Sequence, residues 1–374
     1  LAGRRERAGA ELKVRGLDAL LMFRQESMYY LTGYDTFGYV YFQCLVLTAD
    51  GRTAVLTRAP DLRHARFTST VSDITIWVDR DGADPVSELK SILARLGLKG
   101  GRLGVEYEAY GLTAANGKRL EAGLLGFARL EDASDLVSRQ RLIKSEAEIA
   151  YVRKAAELAD RAWSKAIELT RPGAFEGDIL AGMHGEIFKG GGDDPGNEFI
   201  IGSGPGALMC RYFTGRRTLE AQDQLTLEFA GTYRHYHACL MRTIPIGKLP
   251  ARQKEFFEAA KEALLACEAS FKPGRPVGEV FDAHARVLDA RGMKEHRLNA
   301  CGYSLGTTYA PNWMDWPMLY HANPVLAAPG MVFFLHMILF DSGSGVAMTL
   351  GRTSLLTASG AEPLSKAPLE LVAK

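Results

Sequence analysis

The sequence has no run approaching the roughly 20 consecutive apolar residues that a membrane-crossing helix requires, so a membrane-spanning protein is not expected. Cysteine is scarce: five in 374 residues, at 44, 210, 239, 267 and 301, an odd number with no Cys-x-x-Cys pair. That pattern argues against a disulfide framework or a zinc finger and fits a reducing compartment. Neither sign of charge dominates, and a net charge of +1 leaves no basic excess for a nucleic-acid surface. The opening segment LAGRRERAGAELKVRGLDALLMF mixes charges with small residues and lacks the continuous apolar stretch of a secretory leader. These absences predict a cytoplasmic protein that acts on neither nucleic acid nor membrane. The loops GGGDDPG and GSGPG lack the following lysine of a phosphate-binding loop, and Ser203 lacks a G-x-S-x-G context. Nucleotide binding and serine-hydrolase chemistry are therefore not expected either.

What is present is a chain too long for one ordinary core, so two domains are the default expectation. Over 1–136, β-rich runs alternate with helical patterns: LDALLMF, a hairpin about Asp50-Gly51, DITIWVD, a helix over 86–96, and RLGVEY. Alternation of this kind predicts an α/β domain with a mixed sheet. From Ser138 the composition changes to one long amphipathic helix pattern ending at Arg171-Pro172-Gly173. Strands, two further helices and a strand-rich region then predict an α+β domain over 137–374, with helices packed on an antiparallel sheet. The aromatic, proline-containing run TYAPNWMDWPMLY (308–320) reads as too irregular for helix or strand.

Ordered landmarks in the second half resemble the creatinase/prolidase ("pita-bread") family. They are RLIKSEAEIAYVRKAA, SGPGALMCRYF, LEFAGTYRHYHACLMRT, CGYSLG, PGMVFFLH and GVAMTLGRTSLLTASGAEPL. In the first half MYYLTGYDTFGYVYFQCLVL is similar to the creatinase and ectoine hydrolase segment that reaches a neighbouring subunit's site. The resemblance implies a creatinase-like N-terminal domain, a pita-bread catalytic domain, and a homodimer in which Tyr39 and Tyr41 complete the partner's pocket.

It also implies a dismantled metal centre. Metallopeptidases of the family hold two metal ions with two Asp, one His and two Glu. The matching positions here are Glu228, Cys239, Tyr303, His336 and, at or near it, Gly351. One carboxylate in five leaves too few hard oxygen donors for that centre, so no metal and no cofactor are expected. A substitute zinc site from Glu228, His237, Cys239 and His336 remains an alternative reading.

The segment around Glu228 is most similar to metal-independent members that cleave C–N bonds in small polar molecules, such as ectoine hydrolase and creatinase. By that resemblance Glu228 is the candidate nucleophile. His237 and His336 are candidate acid/base groups near neutral pH. His235 and Cys239 would contact substrate; residues 235 and 237 are expected on one strand face after a turn at Gly231. Tyr303 would donate to a developing oxyanion, and Arg211 would take a substrate carboxylate or pair with Glu228 or Asp315. Trp313 and Trp316 flank Asp315, which suits a cationic or delocalised ring and equally suits a packed loop. A metallopeptidase of prolidase or aminopeptidase P type and a non-catalytic binding protein remain the rival expectations.

Overall fold

The computed structural model describes residues 1–211 and 215–374; the end of the SGPGALMCRYF landmark falls outside the described residues. The chain divides into two compact units, Leu1–Arg141 and Leu142–Lys374.

The first unit contains helices α1 (Ala2–Arg15), α2 (Gln25–Thr32), α3 (Leu62–Thr68), α4 (Pro85–Arg95), α5 (Ala114–Leu124) and α6 (Asp135–Leu142). Its strands are β1 (Ala19–Met22), β2 (Cys44–Thr48), β3 (Thr53–Arg58), β4 (Asp73–Trp77), β5 (Arg102–Val105) and β6 (Arg129–Asp132). They form one mixed sheet in the order β4-β3-β2-β1-β5-β6. The apolar run of β1 shows why helices cover both faces. Ala19 and Leu21 join the core built from α4 and α5, while Leu20 and Met22 join the core that holds Leu12 of α1 and Met28 of α2.

The second unit contains α7 (Glu146–Leu169), α8 (Glu176–Lys189), α9 (Ala251–Ser270) and α10 (Gly278–Ala290). Its strands are β7 (Ile200–Ser203), β8 (Asp223–Tyr233), β9 (Tyr236–Ile246), β10 (Gly302–Ser304), β11 (Asp315–Met318), β12 (Val332–Asp341), β13 (Val346–Thr357) and β14 (Gly360–Pro363). The sheet runs β11-β10-β12-β13-β9-β8-β7, with β14 on β13, and every pairing in it is antiparallel. Its apolar face packs on helices: Leu335 and Met337 share a core with Phe256, Leu264 and Phe271, and Arg352 reaches Glu268 of α9 at 2.7 Å. No helix among the described residues is long and apolar enough to cross a membrane.

Three sequence expectations change. The single helix expected from Ser138 is two, because Ser-x-x-Glu restarts the helix: the Glu148 carboxylate takes the Ser145 N–H at 2.9 Å and its hydroxyl at 2.8 Å. Gly231 is not a turn but an interior residue of β8, where a Cβ would come within 1.9 Å of the Ala155 carbonyl of α7. The turn lies at Arg234-His235, both with positive φ (51° and 63°), as a two-residue hairpin requires. The run 308–320 is not wholly irregular, since Asp315–Met318 pairs with β10 as an edge strand.

Candidate active site

Strand register gathers the five positions that the family pattern gives to metal ligands. Residues directly opposite in a ladder project to the same side, and the side alternates along each strand. Glu228 lies opposite Met241, and Ala230 opposite Cys239. Gly351 lies opposite both Met241 and His336, and Tyr303 opposite Phe334. Glu228, Cys239, Tyr303, His336 and Gly351 thus share one face, turned away from the helices.

On that face is a cavity of about 140 Å³, lined among others by Glu228, Tyr303, His336, Trp313, Arg211 and Asn197. Glu228 accepts a hydrogen bond from the Tyr303 hydroxyl at 3.0 Å, and Tyr303 accepts one from the Trp313 indole N–H at 2.8 Å. Burial pushes the Glu228 carboxyl up to about 7, against the lowering pull of Tyr303 and of the Arg211 charge. The Tyr303 hydroxyl is raised well above its ordinary value, mainly by burial and then by the charge on Glu228. His336 is held to about 4 by burial, so its imidazole is neutral near pH 7. Its Nδ1 is buried with no hydrogen-bond partner among the described residues. The rings of Tyr303, Phe334 and His336 pack against one another with centroids 5.5–5.6 Å apart.

Of the expected site residues in the second unit, Glu228, Tyr303, His336, Trp313 and Arg211 line this cavity, and four do not. His237 is buried with Nε2 accepting the Gly196 N–H at 2.8 Å and Nδ1 beside the Thr308 hydroxyl at 3.2 Å. Both ring nitrogens are engaged and burial holds the group to about 3, so a structural role replaces the expected proton transfer. His235 belongs to the hairpin turn rather than to the face of His237, and its ring stacks on Tyr309 at 4.2 Å. Cys239 is buried, with its thiol pushed far up by desolvation and then by Glu228, and it is not among the residues lining the cavity. Asp315 starts β11, opposite Ser304, and its Oδ1 accepts the Trp316 N–H at 2.9 Å.

Tyr39 and Tyr41 are residues of the first unit. Tyr39 is half-buried and its hydroxyl is raised by burial. Tyr41 is exposed, with the Arg58 guanidinium 4.1 Å from its ring centroid.

The residues present do not fit a two-metal centre. At Gly351 even a Cβ would lie 2.9 Å from the Leu335 carbonyl and from the Phe334 ring, so no ligand side chain has room there. The zinc alternative fails for a different reason. Among the described residues no group of three or more His, Cys, Asp or Glu is placed to hold a metal ion, and His237 accepts from the Gly196 N–H instead.

Sequence reasoning missed Asn197, whose Oδ1 accepts the Trp313 backbone N–H at 3.1 Å, and the apolar walls Ile338, Met314 and Met318. Ile338 was findable, two residues beyond His336 on the same strand face. Asn197 carried no signal beyond its glycine-rich surroundings.

Residues 150–358 match the model of "Metallopeptidase family M24", and residues 4–143 that of the "Creatinase/Prolidase N-terminal domain". The chain is 28% identical to ectoine hydrolase of Halomonas elongata, over 100% of this chain and 97% of that protein. It is 25% identical to the Xaa-Pro dipeptidase of Pyrococcus horikoshii, over 95% of each. The solved structure of the Xaa-Pro dipeptidase from Bacillus anthracis superposes with a TM-score of 0.87 at 22% identity, covering 100% of this chain and 99% of that one.

Proposed function

The chain belongs to metallopeptidase family M24, and from that premise we propose that it hydrolyses a C–N bond of a small polar molecule without a resident metal. Cyclic amidines, guanidino compounds and amides are the substrate classes, and the similarity to ectoine hydrolase points to the first.

The observation that carries the proposal is the state of Glu228. It is the only family-ligand position keeping a carboxylate, it faces a cavity of about 140 Å³, and burial raises it to about 7. A desolvated carboxylate is a stronger nucleophile than a hydrated one. Its free oxygen attacks the trigonal carbon of the substrate and the C–N bond breaks, leaving an acyl group on Glu228. The proton for the departing nitrogen is brought by the cationic amidine or guanidine substrate itself, and neutral His336 then takes a proton from the water that hydrolyses the intermediate and frees the Glu228 carboxylate. Arg211, on the rim, selects a substrate that carries a carboxylate. The proposed catalytic unit is a homodimer joined in part through Phe37, Val40 and Tyr41, which are 77%, 59% and 44% exposed, with Tyr39 and Tyr41 reaching the partner's pocket.

The test is elemental analysis of the purified protein beside ring-opening and deamidination assays with and without a chelator. Metal-free protein whose turnover survives the chelator is expected. Stoichiometric zinc or manganese, with turnover lost to the chelator, would restore the peptidase alternative. A monomer by light scattering at micromolar concentration would remove the dimer.

A further inference from the structure

The geometry assigns Trp313 a positioning role: its indole N–H, acting through the Tyr303 hydroxyl, fixes the direction in which Glu228 is hydrogen-bonded and leaves one carboxylate oxygen for the substrate. The inference rests on Glu228 being the reacting carboxylate, and it departs from the expectation that Trp313 offers an aromatic face to the substrate.

The direction of the chain follows from the donor inventory. An indole N–H can only donate, so at 2.8 Å the Tyr303 oxygen must accept it. Tyr303 has one proton, and the Glu228 Oε1 lies 3.0 Å away to receive it. Each bond polarises the next, so removing the first weakens the second. Among the described residues Tyr303 gives the one hydrogen bond that Glu228 receives. Trp313 is itself held from both sides of its peptide: Asn197 Oδ1 accepts its N–H at 3.1 Å, and the Thr308 hydroxyl donates to its carbonyl at 3.3 Å. The indole is fully buried. An N–H in that environment costs free energy unless it is satisfied, so the site keeps Trp only where the acceptor stands.

Among the described residues the groups that face Glu228 from neighbouring elements are few. They are Tyr303 on β10, the Cys239 thiol on β9 and the Arg211 guanidinium on the rim, and His336 on β12 lines the same cavity. Of these only Tyr303 touches the carboxylate through a hydrogen bond, so a change at Trp313 has one route to it.

Trp313→Phe separates the two roles, because it keeps an aromatic face and removes the N–H. The full-length chain, labelled with [13Cδ]glutamate, is titrated by NMR, with Glu228→Gln identifying the signal. Wild type should titrate near 7. Tyr303→Phe should raise the midpoint by about one pH unit, and Trp313→Phe should raise it by less. The double variant should match Tyr303→Phe alone, because the tryptophan acts only through the tyrosine. In turnover assays Trp313→Phe should lower kcat about tenfold while KM changes little. A midpoint in Trp313→Phe equal to wild type, or a double variant shifted beyond Tyr303→Phe, overturns the assignment.

The indole N–H resonance of Trp313 provides a readout that leaves the tryptophan in place. It should follow the Glu228 midpoint and lose that dependence in Tyr303→Phe; an indole signal indifferent to pH also overturns the assignment. Neither NMR readout needs turnover. Shifts as described in a protein inert toward every C–N substrate would uphold the relay and reject the hydrolase reading.

Discussion

Two carboxylates buried in the same unit are treated in opposite ways. Glu176, the first residue of α8, accepts the Ser203 N–H at 2.7 Å, the Ser203 hydroxyl at 2.6 Å and the Arg217 N–H at 3.0 Å. It ties the start of a helix to the edge of the sheet. Glu228 accepts one hydrogen bond among the described residues and faces a void. The histidines repeat the contrast: His237 is bonded through both ring nitrogens, while His336 keeps a buried Nδ1 with no partner among the described residues. A buried polar group with its full complement holds a fold together. One left short of partners beside a cavity costs stability, and that cost is the reason the proposed chemistry is placed there.

The contrast is open to attack by substitution. Glu228→Gln should reduce turnover by roughly a thousandfold or more with circular dichroism unchanged; residual turnover within tenfold of wild type would end its nucleophile role. Glu176→Ala should leave turnover aside and destabilise the chain by about 3 kcal/mol or more, because three donors lose their acceptor, as a denaturant titration would show.

Glu228→Gln should have the reverse effect on stability. The folded-state value of about 7 lies above the ordinary 4.5, so the folded protein binds that proton more tightly than the unfolded chain. The penalty is absent below about pH 4.5, grows as pH rises, and is complete above about 7. At pH 8 the Gln variant should therefore be more stable by about 3 kcal/mol, an advantage that vanishes at pH 4. The smallest contrast lies between the histidines. His237→Leu should cost about 2 kcal/mol by orphaning the Gly196 N–H, whereas His336→Leu should stay within about 1 kcal/mol of wild type.

The fold was largely legible because its signals are local: alternating apolar runs, a hairpin at Asp50-Gly51, and landmarks in order. The errors arose where one residue type serves two purposes. Gly231 reads as a turn, yet it is there so that α7 can approach β8. Placing the turn there instead of at Arg234-His235 put His235 and His237 on a shared face. The true turn takes positive φ at two non-glycine residues, which no sequence rule favours. Glu228, Tyr303 and His336 could be found from the family pattern because strand register carries them to one side. The bond between Trp313 and Tyr303 could not, since it depends on how the segment after β10 folds back over the sheet.

Phe334 limits what position 351 can become. A Cβ at Gly351 would lie 2.9 Å from the Phe334 ring and from the Leu335 carbonyl, so a larger side chain placed there by a single substitution meets neighbouring atoms before it can reach the cavity beside Glu228.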